Sequence, residues 1–312
     1  MRVIFMGTPD FAVGTLEAIL AAGHEVVLTV TQPDKPKGRG KIMQASPVKV
    51  CAQKHGIAIY QPKKIREKEC IEYLRGFAPD IMIVSAFGQI LPKEILEMPR
   101  YGCVNVHASL LPKYRGAAPI QWAVINGDAI SGVTTMRMDE GLDTGDMIEQ
   151  TEVVLAEDET GGSLFDRLAK EGAALCVHTM QSIAEGTAVY TKQNEEEATH
   201  VGMISKQMGY IDWKQPAVSI ERLIRGLNPW PSAYTRLNGK TFKIWKAAAE
   251  EGGDKKDAGR VIYVSKKQMK IQTGDGILSL LEVQLEGKKR MDIEAFLRGY
   301  EVVEGVMCNS IP

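Results

Sequence analysis

Long apolar runs are missing from this sequence, and their absence excludes one large class of protein. No stretch approaches the roughly 18 consecutive apolar residues that a membrane-spanning helix needs. The first seven residues carry one charge and a short apolar run that breaks at Gly7-Thr8-Pro9, which is unlike a secretory signal peptide. We therefore expect a cytoplasmic protein that does not bind membranes.

Cysteine is scarce and follows no pattern. The chain of 312 residues has five cysteines, and they form neither a Cys-x-x-Cys pair nor a cluster with histidine. A disulfide scaffold and a zinc finger both need such spacing and are excluded. We expect reduced thiols and no metal site. The cysteines are Cys51, Cys70, Cys103, Cys176 and Cys308.

The glycine motifs of nucleotide-binding enzymes are absent as well. The turn after the first apolar run lacks Gly-x-Gly-x-x-Gly, which disfavours a nicotinamide-dependent dehydrogenase. The basic segment 32–41 lacks Gly-x-x-x-x-Gly-Lys-Ser/Thr, which excludes a P-loop. A fold related to such enzymes is still possible, but not their cofactor chemistry.

Short β-rich runs alternate with helical periodicity over the first 155 residues. This alternation predicts an α/β fold, a Rossmann-like, mostly parallel sheet with helices on both faces. A long helix follows at 160–185, with Thr160 or Ser163 as its N-cap and Gly186 past its end. The predicted strands are 2–6, 25–31, 57–60, 80–87 and 103–107, and the predicted helices lie after Asp10 and near 47–55, 67–77 and 117–126.

The pattern changes in the last third of the chain, and the length favours two domains. Segment 190–208 is polar and predicts a linker between domains at 1–189 and 209–312. Asn238-Gly239 between two β-rich runs is a strong hairpin signal. The short runs beyond the linker predict a small OB-like β-barrel. They are 234–237, 241–247, 259–264, 269–273 and 278–284.

Charge is unevenly distributed although the net charge is only −1. Residues 1–208 contain 21 Lys and Arg against 26 Asp and Glu, a difference of −5, whereas residues 209–312 contain 17 against 13, a difference of +4. Segment 32–41 adds four cations spaced by proline and glycine. A nucleic acid would suit both basic regions, but solvated surface charge explains them as well on composition alone.

Segment 103–112 is the most informative for chemistry. Because side chains alternate along a strand, Asn105 and His107 point to one side at the carboxyl end of a parallel strand, where such sheets bind ligands. An asparagine amide can donate to an oxyanion, and a histidine can transfer protons near neutral pH. The loop 109–112 is apolar and suits a flat aromatic ligand. A lone histidine at a strand end is usually structural, but this combination favours a functional site.

Segment 138–146 is an acidic loop that contains Gly141 and Gly145. A calcium site is one interpretation, but the EF-hand spacing is absent. Ordinary turn chemistry explains aspartate and glycine equally well. Taken alone, the loop identifies no function.

Several motifs occur together along the whole chain. They are Gly7-Thr8-Pro9-Asp10-Phe11, Gln32-Pro33-Asp34, Gly38-Arg39-Gly40-Lys41, Asn105-Val106-His107-Ala108-Ser109-Leu110-Leu111-Pro112, Arg115-Gly116-Ala117-Ala118-Pro119-Ile120, Asp139-Glu140-Gly141-Leu142-Asp143-Thr144-Gly145-Asp146 and Asn228-Pro229-Trp230-Pro231. In this combination the sequence resembles the folate-dependent formyltransferases. The last motif and the C-terminal runs are similar to the members that act on tRNA.

The resemblance implies a reaction and a catalytic set. A formyl group would pass from 10-formyltetrahydrofolate to the α-amino group of methionine on initiator tRNA, without a metal. Asn105 and His107 would donate to the tetrahedral oxyanion. Asp143 would hold a water that carries the proton from the amine to the departing N10.

The resemblance also implies binding segments. Two loops would hold the folate, the basic segment would meet the acceptor-stem end of the tRNA, and the C-terminal domain would add tRNA contacts. For the oligomeric state, a monomer is the default expectation. The implied folate-binding residues are Ser109, Leu110, Leu111, Pro112, Phe87, Gly88, Gln89, Ile90 and Leu91, and the implied tRNA-binding residues are Lys35, Lys37, Arg39 and Lys41.

Other interpretations stay open at this point. A formyltransferase acting on an amino-sugar nucleotide or on glycinamide ribonucleotide would share Asn105, His107 and Asp143, so these residues do not separate the substrates. The basic segment and the positive C-terminal third favour tRNA. A non-catalytic RNA-binding protein on the same scaffold is a different class, and the complete catalytic set argues against it.

Overall fold

The computed structural model describes residues 1–37, 42–254 and 256–308, and the structural statements below concern these residues. The chain separates into two compact units that are each discontinuous in sequence. The first comprises Met1–Pro119, Ile130–Val154 and Phe165–Val201, and the second Ile120–Ala129, Leu155–Leu164 and Gly202–Pro312. The domain boundaries at 189 and 208 stay a prediction, because compactness alone does not define a domain. None of the described helices is both long and apolar enough to traverse a bilayer.

Eight α-helices occur within the described ranges. They are α1 (Asp10–Ala21), α2 (Pro47–Lys54), α3 (Lys68–Arg75), α4 (Lys93–Leu96), α5 (Pro119–Asn126), α6 (Gly161–Glu185), α7 (Ala217–Gly226) and α8 (Ile293–Gly299). The strands up to residue 201 are β1 (Arg2–Gly7), β2 (Glu25–Val30), β3 (Lys35–Lys37), β4 (Ile42–Gln44), β5 (Ile59–Tyr60), β6 (Ile81–Ser85), β7 (Cys103–His107), β8 (Arg115–Gly116), β9 (Ile130–Arg137), β10 (Met147–Val154) and β11 (His200–Val201).

Seven strands form the main sheet in the order β10-β9-β7-β6-β1-β2-β5. The five strands from β7 to β5 in this order pair in parallel. Strand β9 pairs antiparallel with both of its neighbours, β7 and β10. The prediction of a mostly parallel sheet is therefore confirmed. The sequence patterns missed β9 because its buried residues include Thr134 and Thr135, whose hydroxyls are hydrogen-bonded inside the fold and interrupt the apolar signal.

Helices cover both faces of this sheet, as predicted. On one face, Ile4 and Met6 of β1 belong to a core that also contains residues of α3 and α4. On the other face, α6 approaches so closely that a Cβ on Gly172 would lie 3.0 Å from Val106 and 3.3 Å from Val133. Two covered faces explain why β1 is an almost continuous apolar run.

Helix α6 begins where the sequence predicts. The Thr160 hydroxyl accepts a hydrogen bond from the Ser163 backbone N–H at 3.0 Å, and the Ser163 hydroxyl accepts from the Thr160 N–H at 2.9 Å. This reciprocal pair satisfies donors that the first helical turn leaves without partners. Gly186 has φ +72° just past the helix end, a conformation that favours glycine.

The second unit contains an antiparallel sheet. Its strands are β12 (Ala233–Leu237), β13 (Lys240–Glu250), β14 (Val261–Val264), β15 (Met269–Gln272), β16 (Ile277–Leu285) and β17 (Met291–Asp292). The order is β12-β13-β16-β15-β14, with β17 beside β16. Asn238 and Gly239 join β12 to β13 with φ +49° and +76°, which confirms the predicted hairpin. The antiparallel sheet is established, and its closure into an OB-like barrel stays a prediction.

The polar segment 190–208 contains more structure than a linker requires. A 3-10 helix spans Glu195–Glu197, and β11 pairs in parallel with β8. Gln193 is also buried, with 9% of its surface exposed. The first part of this segment therefore packs within the first unit.

Candidate active site

Strand β7 places Asn105 and His107 on the same face, as predicted. Val84 of β6 pairs with Asn105 and belongs to the core beneath α3 and α4, so this is the face that both polar side chains share. The intervening Val106 lies on the opposite face, against α6. Both polar residues are nearly buried, with 9% and 6% of their surfaces exposed. Buried polar side chains need partners, and these partners define the site.

Asp143 lies in the acidic loop between β9 and β10. Asp139 has an ordinary turn role there, because its carboxylate accepts from the Gly141 N–H at 3.0 Å and the Thr144 hydroxyl at 2.6 Å. Gly145 is required, since a Cβ there would lie 1.8 Å from the Arg137 carbonyl oxygen. Asp143 itself has φ +55°, which is unusual for a residue with a side chain. Turn chemistry thus explains Asp139 and Gly145 but not Asp143.

The three predicted catalytic side chains come together. Asn105 Nδ2 lies 3.4 Å from Asp143 Oδ1, and His107 Nδ1 lies 3.6 Å from the same oxygen. The other carboxylate oxygen, Oδ2, accepts from the Gly116 N–H at 2.9 Å. His107 Nε2 lies 3.0 Å from the Tyr114 carbonyl oxygen, which can only accept, so Nε2 carries a hydrogen. An amide, an imidazole and a carboxylate therefore meet at the carboxyl end of β7.

The loop after β7 is held by its own polar groups. The Ser109 hydroxyl donates to the Lys113 carbonyl at 2.6 Å, and the Leu111 N–H donates to the Thr134 hydroxyl at 3.1 Å. Ser109, Leu111 and Pro112 are buried, whereas Leu110 is partly exposed. Among the four folate-binding residues predicted here, Leu110 offers the most accessible side chain. Their role stays a prediction.

The second loop predicted to bind folate is divided between core and solvent. Phe87 and Leu91 belong to the hydrophobic core, with 2% and 3% exposed. Gly88 and Ile90 face solvent, and 82% of Ile90 is exposed. Gln89 holds the loop in place, because its side chain accepts from the Ile65 N–H at 2.8 Å and donates to the Pro62 carbonyl at 3.1 Å. The loop presents main chain and Ile90, not its aromatic residue.

Strands β3 and β4, on either side of residues 38–41 of the predicted tRNA-binding segment, pair antiparallel. Lys35 is exposed on β3, the backbone of Lys37 is described but not its side chain, and Arg39 and Lys41 lie outside the described residues. Asp34, just before β3, accepts hydrogen bonds from Gln61 and Lys49, both at 2.7 Å. The hydrogen bond from Gln61, followed by that from Lys49, lowers the pKa of the Asp34 carboxyl. The role of the four cations stays a prediction.

Sequence reasoning missed three residues that hold the site. Arg115 is buried, with 1% exposed, and its guanidinium forms an ion pair with Glu195 at 2.7 Å. Gln193 contacts the Asp143 loop. Arg115 stood within a motif of the resemblance, but Gln193 and Glu195 lie in the segment that composition indicates to be a linker. The polar composition of this segment does not indicate that Gln193 is buried or that Glu195 pairs with Arg115.

The cysteines do not offer a nucleophile. All five are buried and unpaired. Burial raises the pKa of Cys103 and of Cys176 to about 12. Cys103 precedes Asn105 on β7, yet its thiolate would be disfavoured there. Covalent catalysis through a cysteine thiolate at this strand is therefore not supported.

One group of residues has the composition of a cation site. Ligand atoms of Glu17, Cys51 and His55 all lie within 4.8 Å of one another. Cys51 belongs to α2 and His55 follows it, so a spacing of four residues brings them together, although the cysteine pattern indicated no cluster with histidine. Burial and then the Glu17 charge raise the pKa of the Cys51 thiol, which disfavours the thiolate that a metal would need. None of the three is in the catalytic set.

Comparison with known proteins identifies the family. A family model described as formyl transferase matches residues 1–180, and a second one, described as formyl transferase, C-terminal domain, matches residues 203–301. The chain belongs to the formyl transferase family. The resemblance found in its motifs is thereby confirmed for both parts of the chain.

This formyl transferase is similar to curated proteins over nearly its full length. It is 71% identical to the methionyl-tRNA formyltransferase of Agathobacter rectalis, with 98% of each chain covered. It is 55% identical to the methionyl-tRNA formyltransferase of Lachnospira eligens, over 98% of this chain and 99% of that one.

A solved structure has the same fold at low identity. The N-formyltransferase from Helicobacter canadensis, solved with folinic acid and dTDP-3-aminofucose, aligns with a TM-score of 0.65. The identity is 20%, and the alignment covers 93% of this formyl transferase and all of that chain. At this identity the likeness concerns the fold alone.

Proposed function

We propose that this formyl transferase transfers the formyl group of 10-formyltetrahydrofolate to the α-amino group of methionine on initiator tRNA. Relatives at 71% and 55% identity bear the name methionyl-tRNA formyltransferase, which supports the substrate. The observation that carries the chemistry is the position of Asp143 Oδ1, which lies 3.4 Å from the Asn105 amide and 3.6 Å from the His107 ring.

The attacking amine needs little activation. A free α-amino group has a pKa of about 7.7–8.0, so a useful neutral fraction exists near pH 7 without a strong base. Its nitrogen attacks the formyl carbon directly and forms the new C–N bond. A covalent enzyme intermediate is unnecessary, in keeping with the buried thiols described above.

Asn105 and His107 stabilise the charge that this attack places on the formyl oxygen. Asn105 Nδ2 directs one N–H towards Asp143 Oδ1, at 3.4 Å. His107 Nε2 is already bonded to the Tyr114 carbonyl, so Nδ1 can donate only when the ring carries both hydrogens, as the imidazolium. Because Nδ1 is 3.6 Å from Asp143 Oδ1, longer than a hydrogen bond, its hydrogen in that form would serve the oxyanion.

Asp143 would assist the transfer of a proton from the attacking amine to N10 of the folate. Its Oδ2 is bonded to the Gly116 N–H at 2.9 Å, which leaves Oδ1 directed towards Asn105 and His107. Oδ1 would hold a water that accepts the proton of the attacking amine and delivers it to N10. The C–N10 bond then breaks as the oxyanion returns to a carbonyl, giving tetrahydrofolate and the formylated amine.

The folate would bind along the two loops at 109–112 and 87–91. Gly88 is exposed and has φ +81°, and its carbonyl accepts a hydrogen bond from Gln32 Nε2 at 3.3 Å. The Phe87 carbonyl is taken by the Thr8 hydroxyl at 3.1 Å and by Gln32 at 3.2 Å, so recognition would use other main-chain atoms and the exposed Ile90. A flat pterin with an amide-like edge would suit an apolar surface with exposed main-chain groups.

Arg39, with Lys35, Lys37 and Lys41 beside it, would bind the acceptor-stem end of the tRNA. Support comes from the resemblance and from the occurrence of four cations within the seven residues 35–41 of the sequence. Charge-assisted contacts to phosphates would position the methionine ester near Asp143.

One assay tests the function. The protein is given 10-formyltetrahydrofolate with charged initiator tRNA, with an amino-sugar nucleotide or with glycinamide ribonucleotide, and the N-formyl product is measured. We expect product from the tRNA alone. Product from either other acceptor and none from tRNA would replace the substrate in this proposal. No product from any acceptor would support a non-catalytic RNA-binding protein instead.

A further inference from the structure

The backbone at Asp143 has a conformation that its neighbours must maintain. Its φ of +55° lies in the left-handed region, which is sparsely populated by residues other than glycine. Such a conformation persists where surrounding contacts fix it, and it often marks a functional site. The bond from the Gly116 N–H to Oδ2 holds the side chain. The main chain is held from another part of the sequence.

Gln193 supplies that contact. Its Nε2 donates to the Asp143 carbonyl and to the Gly145 carbonyl, both at 2.8 Å, and so spans the turn. Its Oε1 accepts from Arg115 Nε at 3.0 Å. Carbonyl oxygens only accept and Nε only donates, so the three contacts permit one orientation of the amide. Gln193 is 9% exposed, and its burial removes competing water.

Arg115 connects Gln193 to a second anchor. The guanidinium, 1% exposed, donates from its two terminal nitrogens to the Glu195 carboxylate at 2.9 and 2.7 Å. A paired fork of this kind fixes the plane of the guanidinium, and with it the direction of Nε. The hydrogen bond to Glu195, and then its charge, raise the pKa of Arg115, so the cation is retained.

The polar segment that contains Gln193 and Glu195 also fixes Tyr114, the residue whose carbonyl contacts His107. Thr199 accepts from the Arg115 N–H through its carbonyl and from the Tyr114 N–H through its hydroxyl, both at 2.8 Å. The Tyr114 carbonyl is the group that His107 Nε2 contacts at 3.0 Å. Residues 193–199 therefore fix both partners of the His107–Asp143 pair, one through Gln193 and the other through Thr199.

We propose that Gln193 is a positioning residue that sets Asp143 relative to His107, a role that rests on the proposed function. Segment 193–201 is then part of the active-site scaffold and not a connection between domains. Gln193 acts through the Asp143 carboxylate and does not touch substrate. A residue that only stabilised the fold would lower activity whether or not that carboxylate was present.

A double-mutant cycle separates these two roles. Gln193→Glu keeps the shape but replaces the donating amide with an oxygen that faces two carbonyls. We expect kcat to fall about 10- to 100-fold, with the KM for 10-formyltetrahydrofolate changed less than about twofold. In an Asp143→Asn background, the same substitution should lower kcat less than about twofold, because the carboxylate that it positions is already gone.

Glu195→Gln is the milder second variant, with Glu196→Gln as its matched control. Both remove one charge from neighbouring exposed positions, but only Glu195 is seen to pair with Arg115. We expect kcat to fall about 3- to 10-fold for Glu195→Gln and to stay unchanged for Glu196→Gln. If Gln193→Glu fails to fold, Glu195→Gln is combined with Asp143→Asn and carries the same test.

The outcomes distinguish this role from the proposed function. An equal loss of kcat from Gln193→Glu in both backgrounds, or an unchanged kcat in the folded single variant, would overturn the positioning role. An unchanged kcat for Asp143→Asn alone would instead remove Asp143 from the reaction and with it the catalytic assignment.

Discussion

At the scale of single residues, the candidate site is three polar side chains whose environment limits what each can do. His107 commits Nε2 to a main-chain carbonyl, and Asp143 commits Oδ2 to a main-chain N–H. The remaining atoms, His107 Nδ1 and Asp143 Oδ1, lie 3.6 Å apart, and Asn105 Nδ2 lies 3.4 Å from the same Oδ1. The side chains of His107 and Asp143 thus each have one atom bonded to the main chain and one atom at the candidate site. The residues must be placed accurately, because a small shift would replace a contact with substrate by a contact within the protein.

Asn105→Ala should lower kcat without weakening folate binding. The substitution removes a donor that is used when charge develops on the formyl oxygen, and such a donor is worth about 2.7–4 kcal/mol. We expect kcat to fall by roughly 10²- to 10³-fold. Single-turnover kinetics and a folate Kd measured by titration check both parts. An unchanged kcat in a variant with normal thermal unfolding would exclude Asn105 from the mechanism.

At the scale of secondary-structure elements, the sequence predicted what depends on local periodicity. Strand β7 has the predicted bounds, and Asn105 and His107 share one of its faces, as the alternation with Val106 predicts. Asp143 was identified through resemblance, because an acidic turn has no signal that separates one aspartate from another. Gln193 was missed because its burial depends on Arg115, which is 78 residues away in the chain.

Gly116→Ala should disrupt the pairing of β8 with β11. A Cβ there would lie 2.3 Å from the Val201 carbonyl oxygen, and φ is +111°. We expect a loss on the order of 3 kcal/mol in the free energy of unfolding, measured by urea denaturation. Gly186→Ala is the matched control, because it also has positive φ, +72°, but nothing within 4 Å. It should cost about 1 kcal/mol, and equal losses would refute the close contact.

Glu149 links β10 to α6 and should make stability depend on pH. Its carboxylate accepts from Thr179 at 2.5 Å, His178 at 2.9 Å and Ser182 at 3.1 Å. Burial opposes ionisation, but the bonds from Thr179 and then His178 outweigh it and lower the pKa of Glu149. The bond to Glu149 raises the pKa of His178.

Glu149→Gln should therefore be most destabilising at intermediate pH. A lowered carboxylate pKa contributes stability above its ordinary value of 4.5, and this contribution is lost as pH falls through the lowered pKa. A raised histidine pKa contributes below 6.5, and this contribution is lost as pH rises through the raised pKa. We expect the difference in the free energy of unfolding, measured by urea denaturation, to be largest between pH 4.5 and 6.5 and smaller on either side. A difference independent of pH would contradict the ionic contribution.

At the scale of the whole molecule, charge is distributed along the chain in a way that suits two different ligands. The first 208 residues have a difference of −5 and contain the candidate catalytic residues, whereas the remainder has +4. Within the acidic part, the segment at 35–41 concentrates four cations. A folate and an aminoacyl ester are recognised by contacts with individual residues. The binding of a long polyanion depends in addition on the net charge of whole segments of the protein.

Formylation of tRNA should therefore weaken with added salt, whereas folate binding should change little. Binding of a polyanion releases counterions, so log(kcat/KM) for tRNA should fall linearly with log[salt]. Arg39→Ala should lower kcat/KM and reduce that slope by about one, because one phosphate contact is lost. Arg75→Ala removes the same charge from an exposed ion pair with Glu72 on α3 and should leave the slope unchanged. Equal slopes for Arg39→Ala and the unaltered protein would place the phosphate contacts elsewhere.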